Sequence, residues 1–390
     1  MIDPMVLCER TYRKIIPVAG GKGGVGKSVM AANLGLLLGE AGRRTVLVDL
    51  DVGGSNLHSC LGLKNTNLGL GNFVSRKDTT FQDIMLRTDY SNLFFIPGDV
   101  LVAGTPEKVQ AQKRSIIAQL LKIEADYIIL DLGSGSGALV VDFFLISNAG
   151  LLVVTPQATS VLNAYGFLKN TVFRFLQLEL ANKKAASTLL AETLREARPN
   201  ALPPMAKIIK SIEARDKASG ARVREFLKSL KPGLVVNMAE TPEDLRIIEN
   251  LQDLVKKNLG VDLSCLGLVY RDEEVNASMR ELRPLVLGRP DSLAARQINR
   301  VAQKILQSRD FPDMPLDLSL YRDSFELAAI EAENDYSRKA AAPAAEKSDT
   351  IAPDEMLAVL SAQQKKISEL QGTIRMLTMG GQGGPLMGRF

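Results

Sequence analysis

Gly20-Gly21-Lys22-Gly23-Gly24-Val25-Gly26-Lys27-Ser28 follows the apolar run Ile15-Ile16-Pro17-Val18-Ala19 and precedes a helix-like run, Val29 to Leu38. Strand, glycine loop and helix in that order are what a phosphate-binding loop requires, and Gly21, Gly26, Lys27 and Ser28 fit G-x-x-x-x-G-K-[ST]. Glycines let successive backbone N–H groups converge on phosphate oxygens at the helix N-terminus, where the dipole also favours an anion. The expected cradle is Gly21, Gly23, Gly24, Val25, Gly26, Lys27, Ser28 and Val29. Lys27 would reach the β- and γ-phosphates of ATP, and the Ser28 hydroxyl would bind Mg²⁺.

Downstream, Arg44-Thr45-Val46-Leu47-Val48-Asp49 reads as a buried parallel strand ending in an acid, followed by Leu50-Asp51-Val52-Gly53-Gly54-Ser55-Asn56-Leu57. Asp126-Tyr127-Ile128-Ile129-Leu130-Asp131 is a second such strand, and Gly133-Ser134-Gly135 follows it. A carboxylate at a strand tip can hold the water shell of Mg²⁺, and glycines let the backbone pass close to the γ-phosphate, so Asp131 is a candidate metal residue. Further strands are expected at Leu93–Pro97, Gly150–Pro156, Pro232–Met238 and Leu266–Tyr270, with helices at Pro106–Ile123, Pro242–Leu259 and Ser292–Gln307 and a short helical region over Gly69–Arg87. Alternating strands and helices predict an α/β fold, a doubly wound and mostly parallel sheet with nucleotide at the carboxyl ends of its strands. Pro17 falls inside the strand that feeds the loop and deletes a ladder donor, which predicts a bulge or an unpaired position beside it.

The early lysine makes the loop Lys22-Gly23-Gly24-Val25-Gly26-Lys27-Ser28, which resembles the deviant Walker A loop of the MinD/ParA ATPases. Asp49 to Leu57 resembles that family's D-x-D-x-G-x-x-N-L segment. Thr155-Pro156 and Gln157 to Lys169 resemble the T-P-E-P-T-S-x-x-D-A-Y-x-x-x-K segment of the MinD branch, FlhG-type proteins most of all, with Gln157 and Asn163 in place of acids. Val235-Val236-Asn237 resembles its V-V-N strand, and Asp272 to Leu285 its D-x-x-V segment, with Tyr270 where a proline is usual. The resemblance runs from about residue 12 to 308. It implies a P-loop NTPase that joins two subunits on binding ATP and separates them on hydrolysis. It also implies roles: Lys22 reaches the partner subunit's phosphates, Asp51 orients the attacking water, Asp49 and Asp131 lie near Mg²⁺ with Ser28, and Asn237 faces adenine. Lys22, Lys27 and Asp51 are then the catalytic set.

Composition bounds the rest. The chain has 390 residues, 46% of them hydrophobic and 24% charged, as in ordinary globular proteins. With no apolar run of membrane-spanning length and no signal-peptide core in Met1 to Arg13, it is expected in the cytoplasm, with association at a membrane or nucleoid surface as an extension. His58 is the only histidine, which removes histidine-based catalysis and metal clusters; Cys8, Cys60 and Cys265 have no C-x-x-C spacing and form neither a disulfide framework nor a metal clip.

A net charge of +4 hides two opposed blocks. From Lys183 to Lys231, 12 Lys/Arg stand against 5 Asp/Glu; from Asp310 to Glu355, 12 Asp/Glu stand against 4 Lys/Arg. The expected organisation is an ATPase domain over 1–310 with an extra helical region at about 173–231, broken at Pro199 to Pro204. An acidic linker over 311–353, within which Leu318 to Ile330 could dock on the core, a short coiled-coil-like helix over 354–379 and a disordered tail over 380–390 complete it. Met356, Leu360, Gln363, Ile367, Leu370, Ile374 and Leu377 follow a heptad spacing, so that helix is expected to take a protein partner or its own dimer mate, with a membrane-surface helix or packing on its own core as the alternatives. The basic block could dock on non-specific DNA or an anionic membrane surface. A switch that positions a flagellum, pole or division site through partners is the favoured function. A DNA-associated partitioning ATPase is the alternative, and a metabolic enzyme or iron-sulfur carrier on the same fold is the reading from another class.

Overall fold

The computed structural model describes residues 14–340 apart from 52, 53, 55, 65–67, 77, 99–105, 197–202 and 308–317. The chain opens with β1 (Lys14–Ala19), α1 (Lys27–Glu40), β2 (Thr45–Leu50), α2 (Leu57–Cys60), α3 (Leu70–Ser75), β3 (Leu86–Arg87) and β4 (Leu93–Ile96). It continues with α4 (Pro106–Leu120), β5 (Tyr127–Leu132), α5 (Ala138–Phe144), β6 (Leu151–Val154), α6 (Ala158–Leu180), α7 (Lys184–Glu196), α8 (Met205–Glu213) and α9 (Lys217–Ser229). Then come β7 (Gly233–Ala239), α10 (Asp244–Leu259), β8 (Ser264–Tyr270), α11 (Glu273–Arg280), α12 (Leu285–Gly288), α13 (Leu293–Gln307) and α14 (Leu318–Ala340).

The strands form one sheet in the order β3-β4-β2-β5-β1-β6-β7-β8, parallel except for the β3–β4 pair. β2, β5 and β6 are buried along their whole length, as strands covered on both faces must be, and their side chains divide between two apolar layers. One layer carries Ile128, Leu130, Val154 and Phe167, the other Ile16, Leu47, Ile129 and Val153. Parallel order brings the tips of β1, β2 and β5 side by side, so the glycine loop, Asp49 and Asp131 share one end of the sheet; Asp49 and Asp131 are register partners.

The sheet takes Pro17 without a bulge. Its register with β5 runs unbroken from Lys14 to Val18, while pairing with β6 begins only at Val18. A missing N–H therefore need not interrupt a two-sided ladder. Among the described residues of the stretch expected to be helical over 69–87, Leu70–Ser75 is the helix. Thr80 and Asp83 exchange backbone-to-side-chain hydrogen bonds, 2.7 Å from Thr80 N to Asp83 Oδ2 and 3.3 Å from Asp83 N to Thr80 Oγ1, a local turn that competes with helix propagation.

The extra helical region folds as the end of α6 plus α7, α8 and α9. Ile208, Ile212, Val223 and Leu227 bury its inner side, and Phe175 and Phe226 stack with centroids 3.6 Å apart and planes within 6°. Where a linker was expected over 311–353, residues 318–340 form α14, which packs along the edge strand β8. The physical reason is that this acidic stretch has cationic partners on the core: Glu331 pairs with Lys304 at 2.7 Å and Asp335 with Arg300, around buried Ala328 and Ala332. The expected coiled-coil-like helix over 354–379 and tail over 380–390 lie outside the described residues. Among the described residues no helix is long and apolar enough to cross a membrane.

Candidate functional site

The glycine loop bridges β1 and α1 as the motif requires. Gly24 (φ +77°) and Gly26 (φ +92°, the α1 N-cap) occupy the left-handed region, where a Cβ is strained. At Gly21 close approach is the reason for glycine, because a Cβ would fall 2.3 Å from the backbone carbonyl carbon of Asn163 in α6. Val25 and Lys27 are buried, Lys22, Gly23 and Gly24 exposed. No acidic residue stands in the first turn of α1. Its N-terminal dipole end is thus left for an external anion rather than spent on a protein carboxylate.

Three acids lie beside the loop in different states. Asp49 is fully buried and accepts from Asp51 N at 3.1 Å and Leu57 N at 3.3 Å, so it braces the turn that carries Asp51. Asp51 sits against the turn after β5: a Cβ on Gly133 would lie 3.0 Å from Asp51 Oδ1. Asp131 is 1% exposed; its carboxylate oxygens lie outside strict hydrogen-bonding geometry, and among the described residues the Ser28 hydroxyl is the one side-chain donor that acts on it. Burial pushes its carboxyl up to about 7; Ser28 and Lys27 oppose the rise, Asp49 and Asp51 add to it. A buried carboxylate with so little compensation is costly, and a cation placed between Asp131 and Ser28 would remove that cost. The residues therefore fit Mg²⁺ with a phosphate chain over α1.

On the other side of the loop, Asn237 is brought in by an irregularity of β7. Its register with β8 shifts between Asn237 and Ala239, and Met238 has φ +58°. Asn237 Nδ2 donates to Val25 O at 2.8 Å, so the carboxamide expected to face a base also holds the phosphate loop. Its Oδ1 keeps acceptor capacity toward a ligand.

The sheet thus gathers Lys22, Lys27, Ser28, Asp49, Asp51, Asp131 and Asn237 at one end. Sequence reasoning missed Asn33, which is 2% exposed on α1, donates to Val29 O at 2.7 Å and accepts from Val286 N at 3.0 Å. That residue ties α12 to the loop helix. Its signal was a polar side chain inside the apolar run Ala31-Ala32-Asn33-Leu34. Cys60 and Cys265 are buried and their thiols are pushed up to about 12, mainly by burial.

Comparison with known proteins places this geometry. Residues 16–285 match the family model for the CobQ/CobB/MinD/ParA nucleotide binding domain. The antiactivator FleN of Pseudomonas aeruginosa is 26% identical over 303 residues, 75% of this chain and 86% of that protein. A putative septum site-determining protein MinD of Guillardia theta is 27% identical, over 70% of this chain and 91% of its own length. Among solved structures, MinD from Pyrococcus horikoshii, complexed with Mg-ADP, shares the fold with a TM-score of 0.50 at 21% identity, covering 77% of this chain and 98% of that one.

Proposed function

The chain belongs to the CobQ/CobB/MinD/ParA nucleotide-binding family, and from that premise we propose that it is an ATP-dependent dimerisation switch that positions a cellular structure through partner proteins. The observation that carries the proposal is the juxtaposition of a buried, poorly compensated Asp131 with Ser28 and Lys27 at the N-terminus of α1, while Lys22 stands exposed on the same loop. The loop amides and Lys27 bind the phosphate chain. Ser28 and Asp131 would hold Mg²⁺, which would supply charge neutralisation along the phosphate chain. Asp51, on the turn braced by Asp49, orients water toward the γ-phosphate. Lys22, projecting from the loop, contacts the phosphates of a second subunit. Buried Cys60 and Cys265, with thiols held protonated, do not favour an iron-sulfur carrier, whose cysteines must reach a shared cluster as thiolates. The similarity to a septum site-determining MinD protein favours a positioning role over a metabolic one. Trapping with a non-hydrolysable ATP analogue followed by light scattering tests the switch: a chain that stays monomeric with analogue and Mg²⁺ bound refutes it.

A second reading concerns the docking surface. Lys183, Arg222, Arg224 and Lys231 are paired with Glu179, Asp216, Glu213 or Asp262. Lys184, Lys207, Lys210, Arg215, Lys217 and Lys228 make no ion pair among the described residues. Uncompensated cations on one helical layer favour a polyanion, with non-specific DNA as the reading that the salt dependence given below tests.

A further inference from the structure

α14 follows the part of the chain matched by the family, and its contacts are specific. Ala328 and Ala332 face the edge strand β8, whose last residue, Tyr270, is buried and donates its hydroxyl to Ala332 O at 2.8 Å. Lys304 Nζ bridges Leu266 O at 3.1 Å and Glu331 Oε2 at 2.7 Å. Four residues on, Asp335 is 5% exposed and accepts from Gln297 Nε2 at 2.7 Å and from Arg300. Another four residues on, Lys339 Nζ lies 5.0 Å from the Tyr270 ring centroid. Because Glu331 sits beside Leu266 and Lys339 beside Tyr270, α14 climbs along β8 toward its carboxyl end, which is the end of the sheet that carries the phosphate loop.

From Asp335 hydrogen bonds joined by short stretches of backbone lead to the wall of the nucleotide site. Gln297, fixed at one end by Asp335, accepts from Tyr270 N at 2.9 Å through Oε1. Two residues later Asp272 accepts from Glu274 N and Ala294 N, each at 3.0 Å, and so sets where α11 leaves β8. On β7, Ala239 is the register partner of Tyr270 and accepts from Arg271 N at 2.9 Å, and two residues before it Asn237 holds Val25 O. From α11 the chain returns over α1, where Val286 N is held by Asn33. Residues 271–286 thus frame the side of the site opposite the acids, and α14 meets the start of that frame at Tyr270, through Gln297 on Tyr270 N and directly at the Tyr270 side chain.

We propose that Asp335 is a positioning residue for the nucleotide site: by fixing Gln297 it sets the end of β8 and the start of α11, so that docked α14 forms part of the frame that holds the nucleoside. The proposal rests on the nucleotide reading of the site. It has a reciprocal consequence: if docked α14 tightens nucleotide binding by some factor, bound nucleotide must favour docked α14 by the same factor. Small residues at 328 and 332 let the helix lie close to the strand, and the polar contacts set its register along the strand.

The test uses the full-length chain and two probes, ADP with Mg²⁺ and tripolyphosphate with Mg²⁺, the second lacking a nucleoside. Asp335→Ala removes the acceptor of Gln297 and Arg300; Asp335→Asn keeps one acceptor oxygen for Gln297. Asp335→Ala is expected to bind ADP about tenfold more weakly, within the usual range of site-to-site coupling, and tripolyphosphate as the unaltered chain does. Asp335→Asn is expected to recover most of the loss. Hydrogen exchange at the amides of residues 327–337 should slow when ADP binds. Tyr270→Phe, which removes one hydroxyl without stranding a charge, serves if Asp335→Ala does not fold, and should speed that exchange while weakening ADP in proportion. Equal losses for both probes, or exchange over 327–337 that is indifferent to ADP, overturn the proposal. Failure of the unaltered chain to bind either probe overturns the reading of the site itself, and the proposal with it.

Discussion

Replacing Asp131 by Asn should stabilise the nucleotide-free protein at alkaline pH, and the size of the effect can be worked from the structure. Asp131 is 1% exposed, and burial, only partly offset by the Ser28 hydroxyl and Lys27, pushes its carboxyl from 3.8 to about 7. A folded-state value above the unfolded one means that the folded protein holds the proton more tightly across that window. Stability is then highest below about pH 4 for this group, falls as pH rises from about 4 to about 7, and levels above. The full fall corresponds to about 4 kcal/mol, of which about 3 kcal/mol lies between pH 5 and pH 8. Asn carries no such charge, so Asp131→Asn lacks the fall, while titrating groups that do not feel the Asp131 charge contribute equally to both proteins. Urea unfolding in EDTA at pH 5 and pH 8 measures it: the variant should gain on the unaltered chain by about 3 kcal/mol over that interval. Adding Mg²⁺ with ADP at pH 8 should reverse the order, because only the aspartate can hold the cation. A stability difference between the two proteins that is the same at pH 5 and pH 8 would refute the reasoning, and would mean that Asp131 is already ionised and satisfied in the empty site.

Lys27→Ala should abolish nucleotide binding, whereas Lys22→Ala should bind ATP normally and lose ATP-dependent dimers in light scattering; full dimerisation of the second variant would end the assignment of Lys22. Asp51→Ala should bind ATP and accumulate as dimer with turnover reduced at least about a hundredfold, in line with loss of a group that positions the water; near-normal phosphate release would move that role elsewhere. Asn237→Ala should weaken ADP and tripolyphosphate alike if its hold on Val25 O matters most, so a loss confined to ADP in paired titrations would assign it to the base alone. If Lys207, Lys210, Arg215 and Lys217 each meet a duplex phosphate, log affinity against log salt should have a slope of about −3 to −4, reduced by about 2 in Lys207→Glu/Lys210→Glu. A flat salt dependence would return α7–α9 to the role of a solvated face.

Much of this was legible from the chain alone, because a phosphate loop is a local device. Strand, glycines, lysine and serine are contiguous, so Gly21 to Ser28 could be placed and given roles without long-range knowledge. The parallel sheet was legible for a related reason: strands covered on both faces are nearly all apolar, as Val46-Leu47-Val48 and Ile128-Ile129-Leu130 are. Tertiary structure decided what depends on partners far apart in the chain. Asp49 and Asp131 look alike as acids at strand tips, yet one is spent on the amides of Asp51 and Leu57 and the other is left open, because only the folded turn supplies those amides. Asn237 and Val25, 212 residues apart, meet only because β7 kinks at Met238. The acidic stretch after residue 310 read as a tether on composition, which records charge but not where opposite charge waits. Once Arg300 and Lys304 line α13 with Leu266 beside them, Glu331 and Asp335 have a surface to close on, and residues 318–340 become a helix of the core.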